Sequence, residues 1–245
     1  MSTNTSAYLP IGSTVTTNED GSINIVPPSG WQYVGFDNDG GYQEEAIGGG
    51  VCLSCTCNSG GGSCMPAIIG QTAGCVAYGG CTNCTIAVSG IISGTQYGSG
   101  GFLNTSANAE IINLTDDMPA SFKAMYSSVL VQSTITDYIN SVYGGSSPPS
   151  TSVVDGVITA PDGYALAFVN ILGRAVMIPV PTTDFDEAID AGGSSISCSC
   201  SEGSCTLYQD PPPLGTFCDG VCTGTCSMCS SDLGVVTYTA TGYLY

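Results

Sequence analysis

The fourteen cysteines are the residues whose type and spacing could do chemistry, and they fall in two blocks of seven. In each block a Cys-x-Cys pair is followed by more widely spaced cysteines and then by a Cys-x-x-Cys pair. The cysteines that share this order are Cys55, Cys57, Cys64, Cys75, Cys81 and Cys84 in the first block and Cys198, Cys200, Cys205, Cys218, Cys226 and Cys229 in the second. Each block has one more, Cys52 and Cys222. We interpret the blocks as one cysteine module used twice.

Disulfide bonding is the chemistry that we predict for all fourteen cysteines. They lie among glycine and serine residues, without histidine or flanking bases, and such cysteine-rich loops are typical of proteins in oxidising compartments. Each bridge stabilises a fold by about 2–4 kcal/mol, mainly by restricting the unfolded chain. The sequence does not decide which cysteines pair. We expect Cys52 and Cys222 to bond to each other or to a neighbouring subunit.

Metal binding is the alternative chemistry, and it would use the same sulfur atoms. Two segments, Cys81 to Cys84 and Cys226 to Cys229, have the Cys-x-x-Cys spacing of zinc knuckles. Together with Cys52, Cys55 and Cys57 they could supply thiolates for zinc or for an iron–sulfur cluster. The leading prediction nevertheless has no metal and no cofactor, because each block holds more cysteines than one site needs.

A short segment of the first block has a further resemblance. Cys52-Leu-Ser-Cys55-Thr-Cys57 resembles the Cys-x-x-Cys-Ser-Cys motif of nitrile hydratase alpha subunits. The resemblance implies a catalytic cobalt or iron ion that is held by three thiolates and two backbone amides. It covers six residues, and Thr56 stands where the family motif has serine. The second block keeps only the Cys198-x-Cys200 part, so we expect that the protein is not an enzyme.

Charge and composition exclude several function classes. The chain has 20 acidic residues and no histidine, and its only basic residues are Lys123 and Arg174, which gives a formal net charge of −18. Nucleic-acid binding needs clustered basic residues that displace counterions, so we predict no nucleic-acid partner. Without histidine, the commonest general base is absent. Two basic residues also leave trypsin-like proteases only two cleavage sites, which predicts protease resistance.

Alternating and aromatic segments predict strands in the N-terminal part of the chain. We predict strands over 22–26 and 31–36, and a returning strand over 42–47 that completes a hairpin. The Asp37–Gly41 turn joins the hairpin strands, and its Asp37-x-Asp39 pair has a calcium loop as its alternative reading. A strand is also expected over 86–92. Because the cysteine loops are rich in glycine, we expect little regular structure within the first block.

The central and C-terminal parts carry one helical pattern and several β patterns. Apolar residues at helical spacing predict a helix over 118–143, with a break near 133–136 and a C-terminal stop at Gly144. Its apolar face, which includes Val129, is expected to pack in the core. Two hairpins are predicted between 153 and 180. The chain ends in an alternating, tyrosine-rich segment that is typical of a strand.

These patterns together predict a mainly β fold with a helical insertion, in which β-hairpin plus cysteine-rich loop modules are duplicated. We divide the chain into a β module with the first cysteine block (1–100, block 52–84), a helical insertion and linker (101–150), and a β module with the second block (151–245, block 198–229). Strand-like segments at both termini would leave sheet edges on which other strands could pair.

The function that follows is structural: a disulfide-stabilised, self-assembling subunit of an extracellular filament, appendage or coat. The partner would be the protein itself. The N-terminus has neither the basic segment nor the apolar core of a signal peptide, so we expect export or surface display by a route without a visible signal peptide. No apolar window is long enough for a transmembrane helix, and we predict no membrane span.

Overall fold

The computed structural model of the chain describes residues 6–105, 120–144, 146, 149, 152–154, 157–172, 174–181, 194–199, 206–209, 216–219, 227–230 and 234–236. These residues belong to two compact units, the first at 6–105 and the second between 120 and 236. The fold is mainly β with two short helices, which confirms the predicted fold class. The three-part division into 1–100, 101–150 and 151–245 and the duplication of hairpin modules stay predictions.

Ten antiparallel strands build the first unit. They are β1 (Ser6–Tyr8), β2 (Thr14–Thr17), β3 (Ile23–Val26), β4 (Trp31–Asp37), β5 (Tyr42–Glu44), β6 (Val51–Ser59), β7 (Ser63–Ile69), β8 (Thr72–Tyr78), β9 (Asn83–Gly90) and β10 (Gln96–Asn104). Seven of them form one sheet in the order β2-β3-β6-β9-β10-β4-β5, and the other three form a second sheet in the order β1-β8-β7. The predicted strands β3 and β4 and the hairpin of β4 with β5 are confirmed, although β5 ends at Glu44 and not at residue 47.

The expectation of little regular structure in the first cysteine block is wrong. Four strands, β6 to β9, occupy almost the whole block; β6 pairs with β9, and β7 pairs with β8. Apart from Gly74 in β8, the glycines of the block lie in the connections at 60–62, 70 and 79–80, and Gly60, Gly70, Gly79 and Gly80 have positive φ angles. Between these turns the sequence alternates, as in Val51-Cys-Leu-Ser-Cys-Thr-Cys57, and the cysteines take positions that apolar residues occupy in other strands.

The core of the first unit lies between its two sheets. Inward-facing residues of the seven-stranded sheet, among them Ile25, Tyr33 and Leu53, are fully buried. The three-stranded sheet and the residues beside it contribute Ala73 and Leu9 to the same cluster. Burial of one sheet face against another is what stabilises a two-layer β fold. The three-stranded sheet therefore covers the apolar face of the larger one.

The helical part belongs to the second unit and differs from the prediction in one respect. Helix α1 (Ala120–Ser127) and helix α2 (Val129–Tyr143) are separate, and the break lies at Ser128, not near 133–136. Ser128 has extended backbone angles (φ −69°, ψ 128°), which end α1 before α2 begins. The break leaves Val129 65% exposed, so its predicted core position is wrong. Gly144 ends α2 in the left-handed conformation, as predicted.

Nine short strands complete the described part of the second unit. They are β11 (Ser152–Val154), β12 (Val157–Thr159), β13 (Tyr164–Ile171), β14 (Arg174–Pro181), β15 (Ser194–Ser199), β16 (Thr206–Gln209), β17 (Thr216–Asp219), β18 (Ser227–Ser230) and β19 (Gly234–Val236). Both predicted hairpins are confirmed, because β11 pairs with β12 and β13 pairs with β14. The Tyr143 hydroxyl of α2 donates a hydrogen bond to the Pro179 carbonyl of β14. Most of the predicted C-terminal strand, 237–245, lies outside the described residues.

Candidate functional site

Three disulfides of the first unit form the candidate site. Cys55 bonds to Cys75, Cys57 to Cys81, and Cys64 to Cys84, with Cα–Cα distances of 5.7, 6.0 and 5.8 Å. These distances lie well within the usual range for disulfides. All six cysteines that we assigned to the shared pattern of the first block are thus paired.

Two of the three bridges join the two sheets of the first unit, and the third joins the larger sheet to the turn between β8 and β9. Strands β6 and β9 of the larger sheet supply Cys55, Cys57 and Cys84. Strands β7 and β8 of the smaller sheet supply Cys64 and Cys75, and Cys81 lies in the turn between β8 and β9. The bridges meet at the end of the core, where the inward-facing positions of β6 change from fully buried Leu53 to half-buried cysteines.

Glycine allows two turns to approach each other at this end. A β-carbon added at Gly62, in the turn between β6 and β7, would lie 2.8 Å from the carbonyl carbon of Gly79. One added at Gly60 would contact the carbonyl oxygen of Gly80 and lie 3.3 Å from the Cα of Cys81. Side chains do not fit into contacts this short. The glycines therefore let the β6–β7 turn lie directly on the backbone that carries Cys81.

Two of the disulfides are close neighbours. The Sγ atom of Cys64 lies 3.3 Å from the Sγ atom of Cys81, although these sulfurs belong to different bridges. The sulfurs of Cys57, Cys64 and Cys81 all lie within 4.8 Å of one another. Metal ligation requires thiolates, and these sulfurs are joined in disulfides. The metal alternative for Cys55, Cys57, Cys81 and Cys84 is therefore not favoured.

Cys52 lies apart from the other cysteines of its block. Because side chains alternate along a strand, β6 places Cys52 on the face opposite to Cys55 and Cys57. Its Sγ atom is 3.5 Å from the Ser22 hydroxyl and 3.8 Å from the Asn18 side-chain nitrogen. Three thiolates on two faces of a sheet cannot hold one ion, so the arrangement that the nitrile hydratase resemblance implies is not formed.

The pairing of Cys52 stays a prediction. It forms no disulfide with any cysteine that the structure describes. Cys222 lies outside the described residues, as do Cys200, Cys205 and Cys226.

The described cysteines of the second block lie on three strands. Cys198 is on β15, Cys218 on β17 and Cys229 on β18. Here β15 pairs with β18 and β16 pairs with β17. In the first block, too, the first of four strands pairs with the last, and the two middle strands pair with each other. The registers differ, since Cys57 lies opposite Cys84 but Cys229 lies opposite Ser197. The disulfides predicted for this block stay predictions.

Sequence reasoning missed Glu45, a fully buried carboxylate between two loops. Its oxygens accept hydrogen bonds from the Ser93 backbone N–H at 3.0 Å and from the Ser93 hydroxyl at 2.6 Å. Its backbone carbonyl accepts a bond from the Gln32 side chain at 2.6 Å. No sequence signal separates Glu45 from the exposed Glu44 beside it. The carboxylate ties the loop after β5 to the loop after β9.

The hydrogen bonds of Asp37 are those of an ordinary turn and not those of a calcium loop. One carboxylate oxygen of Asp37 accepts hydrogen bonds from the backbone N–H groups of Asp39 and Gly41 at 3.0 and 2.8 Å. The other oxygen accepts one from the Gln43 side chain at 3.0 Å. Both oxygens thus stabilise the turn itself. The calcium alternative has no support from this geometry.

The strands of the bridged region are uncharged over a long stretch. Residues 46–109 contain no Asp, Glu, Lys or Arg, in a chain whose net charge is −18. Among the described residues of the first unit, the acids lie in or beside β5, at the end of β4 and in the turns that follow β2 and β4. The surface built by β6 to β10 therefore offers hydroxyl, amide and apolar groups but no ionic ones.

None of the protein-family models matches the chain, and no curated protein and no solved structure is significantly similar to it. Within the described part of the chain, no helix has both the length and the apolar character that a membrane crossing requires. The disulfides are compatible with an extracellular location.

Proposed function

We propose that this protein is a structural subunit, stabilised by disulfides, that assembles with copies of itself into an extracellular filament, appendage or coat. The observation that carries the proposal is the set of three disulfides that join the larger sheet of the first unit to the smaller sheet and to the turn after β8. Such bonds persist in oxidising surroundings and resist unfolding there. The arrangement supports durability.

An exposed sheet edge supports assembly by strand addition. Strand β2 (Thr14–Thr17) is the first strand of the seven-stranded sheet, and all four of its side chains are exposed. It contains no charged residue and no proline, the two features by which many proteins protect an edge. At a net charge of −18, copies of the chain repel one another, so an uncharged edge is the favoured place for contact.

The opposite edge of the same sheet is less suited to pairing. Strand β5 has only three residues, and Glu44 ends it. A short edge strand with a charged side chain is a usual defence against edge-to-edge association. We therefore assign the assembly contact to β2.

Electron microscopy and analytical ultracentrifugation of the purified chain under oxidising conditions test the proposal. We expect regular polymers for the natural sequence and monomers for Thr16→Lys, because a lysine on the edge strand opposes strand addition. The matched control is Thr56→Lys, which introduces the same charge on the same sheet face but on β6, two strands from the edge. That variant should still polymerise.

One result would contradict self-assembly itself, and another would contradict only the assignment of the contact to β2. A natural chain that stays monomeric at every concentration, with its disulfides intact, would exclude self-assembly. Polymers that are lost equally in Thr16→Lys and Thr56→Lys would support assembly but exclude the β2 edge as its contact.

A further inference from the structure

We propose that Cys57, Cys64, Cys81 and Cys84 form a thiol–disulfide interchange centre, a modification site whose substrate is a small-molecule thiol. The four residues supply two disulfides whose sulfurs are in contact, with 3.3 Å between the Sγ atoms of Cys64 and Cys81. Disulfides exchange when a thiolate attacks a neighbouring sulfur, so two bridges in contact can exchange partners. We refer to these four residues as the sulfur quartet.

The fold also supports a second pairing of the quartet. Cys57 and Cys84 lie directly opposite each other in the pairing of β6 with β9. Opposite residues of antiparallel strands have Cα atoms about 4.5–5.5 Å apart, within the range of about 4.4–6.8 Å that a disulfide spans. Cys64 and Cys81 already have their sulfurs in contact. The pairing Cys57–Cys84 with Cys64–Cys81 therefore needs movement of side chains but no change of strand register.

Access to the quartet lies on the side of Cys81. This residue is half-buried and belongs to the turn after β8, next to Gly79 and Gly80. Its disulfide partner Cys57 is half-buried as well, so both residues of this bridge are partly exposed; in the other bridge Cys64 is half-buried but Cys84 is only 6% exposed. Attack by a thiolate requires a reachable sulfur. The Cys57–Cys81 bridge is therefore where an external thiol enters.

The exchange proceeds in three balanced steps. A thiolate bonds to Sγ of Cys81 and displaces Cys57 as a thiolate. Cys57 then bonds to Sγ of Cys84 and displaces Cys64 as a thiolate. Cys64 finally bonds to Sγ of Cys81 and releases the small thiol. Two disulfides are present before and after, and the small thiol is regenerated, so no oxidant or reductant is consumed.

The exchange would change how the two sheets are linked. In the observed pairing, Cys64–Cys84 ties β7 of the smaller sheet to β9 of the larger one. In the second pairing, Cys57–Cys84 would lie within the larger sheet, and Cys64–Cys81 would join β7 to the turn. Of the bridges that join a strand of one sheet to a strand of the other, Cys55–Cys75 alone would remain. The pairing within the quartet would thus determine how many disulfides join a strand of one sheet to a strand of the other.

Non-reducing peptide mapping of the full chain tests this proposal. The chain is incubated with a mixture of reduced and oxidised glutathione at about pH 8, where a good part of the small thiol is ionised. It is then quenched in acid and digested with pepsin. We expect peptides with Cys57–Cys84 and Cys64–Cys81 links to exceed new links to Cys55 or Cys75 by about tenfold or more, because neighbouring sulfurs react at high effective concentration.

Variants make the result specific. Cys52→Ser removes the one cysteine of the first block that lies outside the three disulfides and should leave the exchange unchanged. In Cys64→Ser/Cys84→Ser the second step has no disulfide to attack, so a glutathione adduct on the Cys57–Cys81 pair should accumulate in its place. If that double variant does not fold, the mapping of the natural chain decides alone. The proposal is overturned if no second pairing forms, or if all six cysteines exchange equally.

Discussion

Two parts of the seven-stranded sheet are stabilised in different ways. Strands β6 and β9 are linked to the smaller sheet by disulfides, whereas β4 and β10 contain no cysteine and cover the core with aromatic side chains. There the Tyr33 ring meets Tyr97 and Phe102 edge-on, with ring centroids 4.9 and 5.0 Å apart. A β-carbon at Gly100 would lie 2.9 Å from the Tyr33 hydroxyl oxygen, so glycine makes room for the ring.

The location of the disulfides follows the degree of burial in these two parts of the sheet. In the aromatic part, Tyr33 is completely buried, and burial of large apolar surface stabilises a core without help. In the bridged part, the inward-facing residues of β6 become less buried from Leu53 towards Cys55 and Cys57. A small, half-covered side chain contributes little through burial. Disulfides take over at the end of the core where apolar burial becomes incomplete.

The largest expected effect comes from removing a bridge. Cys55→Ala/Cys75→Ala should lower the free energy of unfolding by about 3 kcal/mol, the value for a loop of this size. The two residues are 20 positions apart in sequence. Denaturant unfolding monitored by circular dichroism measures the change. Ser54→Ala, at a half-buried position of the same strand that carries no sulfur, is the control and should change the value by less than about 0.5 kcal/mol. Equal effects of the two changes would contradict the covalent account of this region.

A smaller effect is expected in the part that has no bridges, at Glu45. Glu45→Gln places an amide N–H₂ group near the Ser93 donors, and a buried donor without an acceptor costs about 1–3 kcal/mol. Glu44→Gln is the matched control, because this neighbouring acid is exposed. Thermal or denaturant unfolding of both variants gives the comparison. If Glu44→Gln is as destabilising as Glu45→Gln, the carboxylate does not hold the two loops together.

The third prediction concerns the stability of the aromatic part in alkali, and its effect at neutral pH is the smallest of the three. Burial, with a contribution from the Glu45 charge, raises the pKa of Tyr97 to about 12, and burial raises the pKa of Tyr33 as well. Unfolded tyrosine ionises near pH 10, so the stabilisation is complete below about pH 10 and is lost as the pH rises towards about 12. Unfolding at increasing pH, monitored by tyrosine absorbance, should show this loss of stability.

The alkaline response has its own control. Tyr33→Phe removes a buried hydroxyl that has no hydrogen-bond partner among the described residues. The variant should move the alkaline transition to higher pH, because one ionisable group of the core is gone. Tyr78→Phe, at a half-exposed position, should leave the transition where it is. A transition that is unchanged by Tyr33→Phe would show that the aromatic cluster does not govern stability in alkali.

Local patterns explain why several elements could be predicted. Ile23 and Ile25 alternate with polar residues, Pro27 and Pro28 end the strand, and the Asp37–Gly41 turn needs only its own side-chain bonds. The break at Ser128 could not be predicted in the same way. The segment around it keeps the helical spacing of apolar residues, and nothing local distinguishes Ser128 from Ser133.

The first cysteine block shows the limit of composition as a guide. Its glycine content suggested irregular loops, but the residues between the glycines alternate as strands do. Counting glycine over a whole segment concealed that Gly60 to Gly62 and Gly79 to Gly80 mark turns. The position of each glycine, and not its frequency, decided the local structure.

By itself, the sequence determined the mainly β class, the Asp37–Gly41 turn and the use of cysteine for stabilisation, because alternation, turn residues and thiol content act over a few neighbouring residues. Only the tertiary structure decided that Cys57 bonds to Cys81 and not to Cys84 opposite, that Cys52 lies on the other sheet face, and that Glu45 is buried while Glu44 is exposed. These outcomes depend on strand register and on the stacking of the two sheets, which bring together residues that are far apart along the chain.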